Sequence, residues 1–111
     1  MITPETLFRA LSDSTRLRCL LLMLSEQSLC VCEFVHALDL SQPRVSRHLG
    51  HLRDLGIVQD ERRGQWVHYR LHPQLPDWAR EVLQAAFAAD SVGDIRRRLA
   101  AMPNRPSIAC D

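Results

Sequence analysis

Apolar side chains recur in the first third of the chain at spacings of three and four residues, the period of a helix that faces a core. A first helix is predicted over residues 4–12, with Pro4 in its first turn, where the missing N–H costs little. The second helix follows a cap at Asp13 or Ser14. It is apolar on both sides, which predicts a central position. Its buried stripe is Leu17, Leu20, Leu21 and Leu24.

The middle of the chain predicts a helix-turn-helix. A short helix is expected over residues 33–38, followed by a turn at residues 39–41. Ser41 then caps a helix over residues 42–55, because its hydroxyl oxygen can accept a backbone N–H that the first turn leaves unpaired. Gly56 ends this helix.

Residues 57–71 have the pattern of a β-hairpin, with two strand-like arms around Arg63–Gly64. Glycine there permits the positive φ that a tight turn needs. Along the second arm, residues 67, 69 and 71 alternate with residues 66, 68 and 70, so one face can pack while the other points outward. His68 and the following His72 are therefore expected to face solvent.

Two further helices are predicted after the hairpin, over residues 77–89 and 92–102, and a mobile tail follows at 103–111. The order of elements predicts a mainly α fold with a small β-hairpin wing, that is, a winged helix-turn-helix. We place this domain at residues 1–90 and assign residues 91–111 to a C-terminal helix and flexible tail.

Composition narrows the class of protein. With 111 residues, 46% hydrophobic and 24% charged, the chain resembles one small globular domain. Its longest apolar run, residues 19–24, is too short to span a bilayer. No signal peptide pattern opens the sequence, so we expect a cytoplasmic protein with no membrane partner.

The net charge of +1 hides an asymmetry. Residues 41–72 hold six Arg against three acidic residues, whereas the remainder holds eight Arg against ten. All basic residues are Arg, which suits bidentate contacts to phosphate and guanine, although a GC-rich genome would produce the same bias.

The helix over residues 42–55 has two distinct faces. Val45, Leu49 and Leu52 form an apolar face, and the opposite face is polar. Such a helix can read double-stranded DNA in the major groove, where Arg bonds guanine and Gln bonds adenine. The alternative is an ordinary solvated face; the cap, the turn and the basic hairpin favour DNA binding. The candidate DNA-binding residues are Gln42, Arg44, Ser46, Arg47, His48 and His51 on the helix, with Arg62 and Arg63 at the hairpin tip.

Two of the four cysteines, Cys30 and Cys32, flank a single valine. In a reducing compartment, close pairs of this kind indicate metal binding or redox chemistry. Structural zinc commonly uses C-x2–4-C spacing and four ligands, and thiol reductases use CxxC at a helix start. CxC supplies only two soft thiolates, which fits a three-coordinate metalloid such as trivalent arsenic or antimony better.

Three segments together carry a resemblance to a known family: LCVCEF, ALDLSQPRVSRHLGHLRDLGIV and RRGQWVHYRL. They are similar to the arsenic-responsive repressors of the ArsR/SmtB family, and the match covers residues 4 to about 90. The resemblance implies a homodimeric winged helix-turn-helix repressor. It needs no cofactor and leaves its operator when the inducer, As(III) or Sb(III), binds Cys30 and Cys32.

The resemblance also implies pairing of two protomers through the first and last helices. The predicted helix over residues 77–89 supports this independently, because its small residues allow close helix approach. It has no His/Asp pair at i, i+4 spacing, so no zinc site is predicted there. The candidate dimer residues are Leu7, Phe8, Leu11, Trp78, Val82 and Ala86.

A third metalloid ligand is not assigned by the sequence. One form of the family motif has a third cysteine where this chain has Val35. Cys110 is the first candidate, and Cys19, His36, a small thiol or water are others. Cys19 lies in an apolar run and is expected to be a core thiol.

The spacing of the cysteines predicts a mechanism. Residues i and i+2 of a helix point about 200° apart, so we expect that binding one atom through both unwinds or reshapes the start of the helix at residues 30–34. The alternatives to a metalloid-responsive repressor are a winged-helix sensor of Cd, Zn or thiol oxidation, a thiol reductase, and a metal-buffering protein.

Overall fold

The computed structural model describes residues 2–89 and 92–105. Six helices and three strands alternate along this part of the chain. The helices are α1 (Pro4–Leu11), α2 (Ser14–Glu26), α3 (Val31–Leu38), α4 (Gln42–Asp54), α5 (Asp77–Ala88) and α6 (Gly93–Ala100). The strands are β1 (Ser28–Cys30), β2 (Val58–Arg63) and β3 (Trp66–Leu71). The predicted mainly α fold with a β-hairpin wing is confirmed.

Side-chain caps fix where the helices begin. The carboxylate of Asp13 accepts the backbone N–H groups of Thr15 and Arg16 at 2.9 and 3.1 Å, so Asp13 caps α2. The Ser41 hydroxyl accepts the N–H of Arg44 at 3.4 Å and caps α4, as predicted. These bonds satisfy donors that the first turn of a helix otherwise leaves unpaired.

The core is built around α2, whose residues 19–23 are all at most 1% exposed. Helix α4 contributes Val45, Leu49 and Leu52, each fully buried, and α3 contributes Phe34. The predicted apolar faces of both helices of the helix-turn-helix are therefore the faces that pack. This packing sets which side of α4 remains available to solvent.

The hairpin differs from its prediction by one residue. Arg63 belongs to β2 and pairs with Trp66, so the turn consists of Gly64 and Gln65. Gly64 has a φ of 62°, a conformation that favours glycine at the first position of a two-residue hairpin turn.

The third strand, β1, was not predicted. It pairs antiparallel with β3, which gives the sheet order β1-β3-β2 and places Cys30 directly opposite His68. A three-residue strand is too short to show alternation, and its partner lies some forty residues further along the chain. Because of β1, the strand β3 is central rather than an edge.

The C-terminal part of the described chain packs on α3. Ile95 and Leu99 of α6 join the common core, and the Arg98 guanidinium donates to the carbonyl oxygen of Ala37 at 2.9 Å. Arg105 falls in the segment predicted as a mobile tail, but it bonds Glu33 and Glu26 at 2.6 and 2.7 Å. That prediction is wrong at Arg105, because two carboxylates bind its guanidinium. In the described part of the chain, no helix has the length and apolar character needed to cross a membrane.

Candidate functional site

Helix α4 presents a polar surface on the side away from the core. Gln42, Arg44, Arg47 and His51 are exposed, and Ser46 and His48 are half-buried. The Gln42 amide donates to the Ser46 hydroxyl at 2.8 Å, one turn away. Among the described residues, neither Arg44 nor Arg47 has an ion-pair partner. Both guanidinium groups are thus available to an external anion.

His48 differs electrostatically from the arginines beside it. Partial burial lowers its pKa below the ordinary value of 6.5, and the positive charges of Arg16, Arg47 and Arg44 act in the same direction, against the opposing pull of Asp13. The imidazole is therefore neutral at pH 7. It can serve as a hydrogen-bonding group on this surface but adds no charge.

The two arginines of the hairpin are not equivalent. They are consecutive in β2, so their side chains lie on opposite faces of the sheet. Arg62 is exposed, whereas Arg63 Nε donates to the Glu61 carboxylate at 2.6 Å. This ion pair also lowers the pKa of Glu61. Arg62 is the better placed of the two to reach a phosphate.

Cys30 and Cys32 meet where β1 passes into α3. Cys30 is the N-cap of α3 with an extended backbone (φ −74°, ψ 151°), and Cys32 is the second helical residue. Their sulfur atoms are 2.9 Å apart. The premise that the two side chains point about 200° apart is wrong, because Cys30 precedes the helix and its side chain does not follow the helical rotation. Reshaping of the start of α3 on metalloid capture stays a prediction.

The Cys32 sulfur is protonated at neutral pH in this environment. Desolvation raises the pKa of the Cys32 thiol to about 12, and the contact with Cys30 and the charge of Glu33 act in the same direction. Bonding of Cys32 to a metalloid must therefore remove its proton.

Glu33 fixes the backbone at this point. It is fully buried; one carboxylate oxygen accepts the Cys30 N–H at 2.8 Å, and the other accepts from Arg105 at 2.6 Å. Sequence analysis missed this role. The signal was present, because Cys30 and Glu33 stand at the N-cap and N3 positions of a capping box.

A cavity of about 350 Å³ connects the thiols to the start of α4 and to the hairpin. Its wall includes both cysteines, Val35 of α3, Gln42 at the start of α4, and Trp66 of the hairpin. The thiol pair is thus in contact, through one mostly apolar space, with both parts of the winged helix-turn-helix that a DNA duplex would meet.

The candidates for a third ligand are dispersed. Cys19 is fully buried in α2, with a pKa raised to about 12 by desolvation, which confirms it as a core thiol. His36 lies half-buried on α3, and Cys110 is outside the described residues. Across the described ranges, no three His, Cys, Asp or Glu side chains are arranged to hold a metal ion.

His68 is where the structure departs most from the sequence-based expectation. It was predicted to face solvent, yet it is only 2% exposed. The unpredicted strand β1 makes β3 the central strand, so His68 has a cross-strand neighbour on each side, Cys30 on β1 and Glu61 on β2. Within residues 2–89 and 92–105, neither imidazole nitrogen has a hydrogen-bond partner. His72, by contrast, is half-buried, and its Nδ1 accepts the Gln74 N–H at 3.1 Å.

The predicted dimer residues divide into two groups. Leu7 is fully buried in the core of its own protomer, so its side chain is not available to a partner. Phe8, in contrast, is 55% exposed, unusual for a large apolar side chain. Leu11 of α1 and the α5 residues Trp78, Val82 and Ala86 are partly buried.

The helix-turn-helix, the adjacent hairpin and the basic outer face of α4 define a winged-helix DNA-binding regulator. Residues 13–60 match the family model of bacterial regulatory proteins of the arsR family. The chain belongs to this family, which confirms the resemblance noted from its motifs.

Relatives over nearly the full chain agree with this assignment. The arsenic resistance transcriptional regulator ArsR2 of Pseudomonas putida is 50% identical, with 99% of this chain and 100% of the relative covered. ArsR1 of the same organism is 47% identical, with 99% and 89% covered. The crystal structure of the antimony-specific transcriptional repressor AntR has a TM-score of 0.65 at 27% identity, with 81% and 84% covered. The chain is accordingly a transcriptional regulator and not an enzyme.

Proposed function

We propose that this protein is a homodimeric repressor that leaves operator DNA when trivalent arsenic or antimony bonds Cys30 and Cys32. One observation carries the proposal: two sulfur atoms 2.9 Å apart stand at the start of α3, beside a cavity that reaches α4 and the hairpin. The names of the relatives support the inducer class, since two are arsenic resistance regulators and a third is antimony-specific.

The capture step is a condensation. Each thiol gives up its proton to a hydroxyl of arsenous acid, two As–S bonds replace two As–O bonds, and two waters leave: As(OH)₃ + 2 RSH → (RS)₂AsOH + 2 H₂O. No redox partner is needed. This balance suits a site in which Cys32 is protonated, because the reaction consumes no free base and releases no net proton.

Coupling to DNA then follows from packing. Cys32 is in the first turn of α3, and α3 packs directly on α4. Bonding both sulfurs to one atom repositions this turn and alters the cavity wall at Gln42 and Trp66. We propose that this shift moves Arg44 and Arg47 out of register with the duplex in both protomers. Unwinding of α3 is not required.

The DNA-binding surface is proposed to be the outer face of α4 together with the hairpin. Gln42, Arg44 and Arg47 would reach bases or phosphates near the start of α4, where backbone N–H groups also favour phosphate. Ser46, His48 and His51 extend this surface along the helix, and Arg62 reaches the flanking backbone. Because phosphate contacts dominate such interfaces, operator binding should weaken steeply with salt.

The dimer is proposed to form through α1 and α5. Phe8 is an exposed apolar side chain that a partner protomer would bury. The partly buried apolar residues of the same proposed interface are Leu11, Trp78, Val82 and Ala86. Phe8→Glu should convert the dimer to monomer in sedimentation analysis, whereas the exposed neighbour change Arg9→Gln should leave it dimeric. A dimeric Phe8→Glu protein would place the interface elsewhere.

The decisive experiment is a mobility shift with DNA from upstream of the gene, titrated with arsenite, antimonite, cadmium and zinc. Release by the first two, lost in Cys30→Ser and in Cys32→Ser while both variants still bind the DNA, would support the proposal. Cys110→Ser tests whether a third thiolate contributes. Release of the Cys30→Ser protein at the same arsenite concentration as the wild type would refute metalloid capture by this pair.

A further inference from the structure

His68 is a buried polar side chain to which the proposed repressor mechanism assigns no role. It is 2% exposed, and neither nitrogen has a hydrogen-bond partner in the described part of the chain. Burying an imidazole without a partner is unfavourable, and such groups are rare in folded proteins.

The sheet register places this imidazole beside the thiol site. His68 lies directly opposite Cys30 in the antiparallel pair of β1 and β3. Residues so paired project from the same face of the sheet, with Cβ atoms about 4.5–5.5 Å apart. On its other flank His68 lies opposite Glu61, whose carboxylate is bonded to Arg63.

The other polar groups near Cys30 differ from His68 in being bonded or exposed. Glu33 bonds both the Cys30 N–H and Arg105. The wall of the cavity beside the sulfurs is mostly apolar, and its two glutamines are Gln42, whose amide donates to Ser46, and Gln65, which is exposed in the hairpin turn. Among the described residues, no third His, Cys, Asp or Glu side chain completes a metal site with the two thiols. Of these polar side chains, His68 alone is both buried and without a hydrogen-bond partner, so a polar substituent on a captured metalloid would supply the partner that it lacks.

Capture by two thiols leaves one such substituent. Arsenous or antimonous acid condensed with Cys30 and Cys32 retains one hydroxyl group, by the balance given above. An imidazole ring has two nitrogens that can hydrogen-bond, and a metalloid-bound hydroxyl can donate or accept. We propose that His68 is a positioning residue that hydrogen-bonds this hydroxyl, so that the site prefers trivalent metalloid hydroxides to organic arsenicals. This inference rests on the proposed function.

Phenylarsine oxide supplies the matched control ligand. Its hydrate condenses with the same two thiols, PhAs(OH)₂ + 2 RSH → PhAs(SR)₂ + 2 H₂O, and the product carries no hydroxyl. Loss of His68 should therefore weaken arsenite binding while leaving phenylarsine binding nearly unchanged. A purely structural role for His68 would weaken both ligands alike.

The variants are His68→Phe, which keeps the ring size but removes both nitrogens, and His68→Gln, which restores a hydrogen-bonding group. All are made in full-length Cys110→Ser protein, so that no tail thiol can occupy the third position. Calorimetric titration without DNA gives the two affinities of each variant. We expect His68→Phe to bind arsenite about tenfold more weakly and phenylarsine within about twofold of the parent, with partial recovery of arsenite binding in His68→Gln.

Three results would overturn the inference. The first is an equal loss of both ligands in His68→Phe, and the second is no loss of either. The third is an X-ray absorption spectrum of arsenite-bound wild-type protein with three sulfur neighbours instead of two sulfurs and one oxygen. A parent protein that bound neither ligand would instead refute the proposed function itself, and with it this inference.

Discussion

The outer face of α4 and the start of α3 lie next to each other and have opposite physical characters. On α4, Arg44 and Arg47 are exposed and carry charge with no partner in the described chain. At the start of α3, Glu33 is fully buried and bonded on both oxygens, and Cys32 is a protonated thiol. Exposed, unpaired charges suit the attraction of a polyanion, whereas a protonated Cys32 and a paired Glu33 suit the neutral metalloid hydroxide that we propose this site captures.

The largest expected effect is on the rate at which Cys32 is alkylated. Because the raised pKa of Cys32, about 12, disfavours the thiolate, the reactive form is scarce at pH 8 even though the side chain is half-exposed. We expect iodoacetamide to modify Cys32 at least a hundredfold more slowly in the native protein than in guanidinium, where the pKa returns to its ordinary value of about 9.

Mass spectrometry of modified peptides measures both rates in one sample. The sign follows from the raised pKa: the native rate should keep rising between pH 9 and 12, where the unfolded rate has levelled off. Fully buried Cys19 is the internal comparison for access. Equal rates of Cys32 modification in the native and unfolded protein would show that this site holds a reactive thiolate. The contrast in charge between the thiol site and α4 would then not exist.

The second prediction compares a buried with an exposed carboxylate. Glu33→Ala leaves the Cys30 N–H without its acceptor and removes the buried partner of Arg105, so it should lower the free energy of unfolding by about 2–4 kcal/mol. Glu61→Ala removes an exposed ion pair with Arg63 and should have little effect. Urea unfolding measures both, and comparable losses would remove the distinction.

The two regions also differ in how well the sequence predicts them, because α4 depends on local signals and the thiol site depends on contacts between distant parts of the chain. The faces of α4, its Ser41 cap and its end at Gly56 are set by local periodicity and turn chemistry within fifteen residues. The hairpin also depends on local signals, and its predicted turn differs from the observed one by only one residue.

The surroundings of the thiols could not be derived this way. The position of His68 opposite Cys30 comes from a strand pairing between distant parts of the chain, and Glu33 is bonded by Arg105, 72 residues away. Neither contact leaves a periodic trace in the sequence. Cys30 and Cys32 themselves were found because their spacing is local, but the extended backbone at Cys30 depends on the unpredicted strand.

The third prediction concerns the charged face of α4. Arg44→Ala or Arg47→Ala should weaken operator binding by about 1–3 kcal/mol, and the salt dependence should become shallower for whichever contacts phosphate. Arg97→Ala, an exposed arginine on α6, is the control and should leave the affinity unchanged. Anisotropy titrations at several salt concentrations measure the affinity and its salt dependence for each variant. An equal loss of affinity in the control would indicate nonspecific attraction. Calorimetric arsenite binding should be unaffected in all three.

The smallest effect comes from the turn that joins the two regions. Ser41 and Thr3 each cap a helix through one hydrogen bond, at 3.4 Å to Arg44 N and 3.2 Å to Thr6 N. Either change to Ala should therefore cost about 1 kcal/mol of stability.

Only Ser41, however, holds the start of α4 where Gln42 lines the cavity beside the thiols. We expect Ser41→Ala alone to weaken operator binding several-fold and to lower the arsenite concentration needed for release, because a looser helix start yields more readily to movement of α3. Indistinguishable release curves for Ser41→Ala and Thr3→Ala would mean that the inducer signal reaches DNA by a route other than the start of α4.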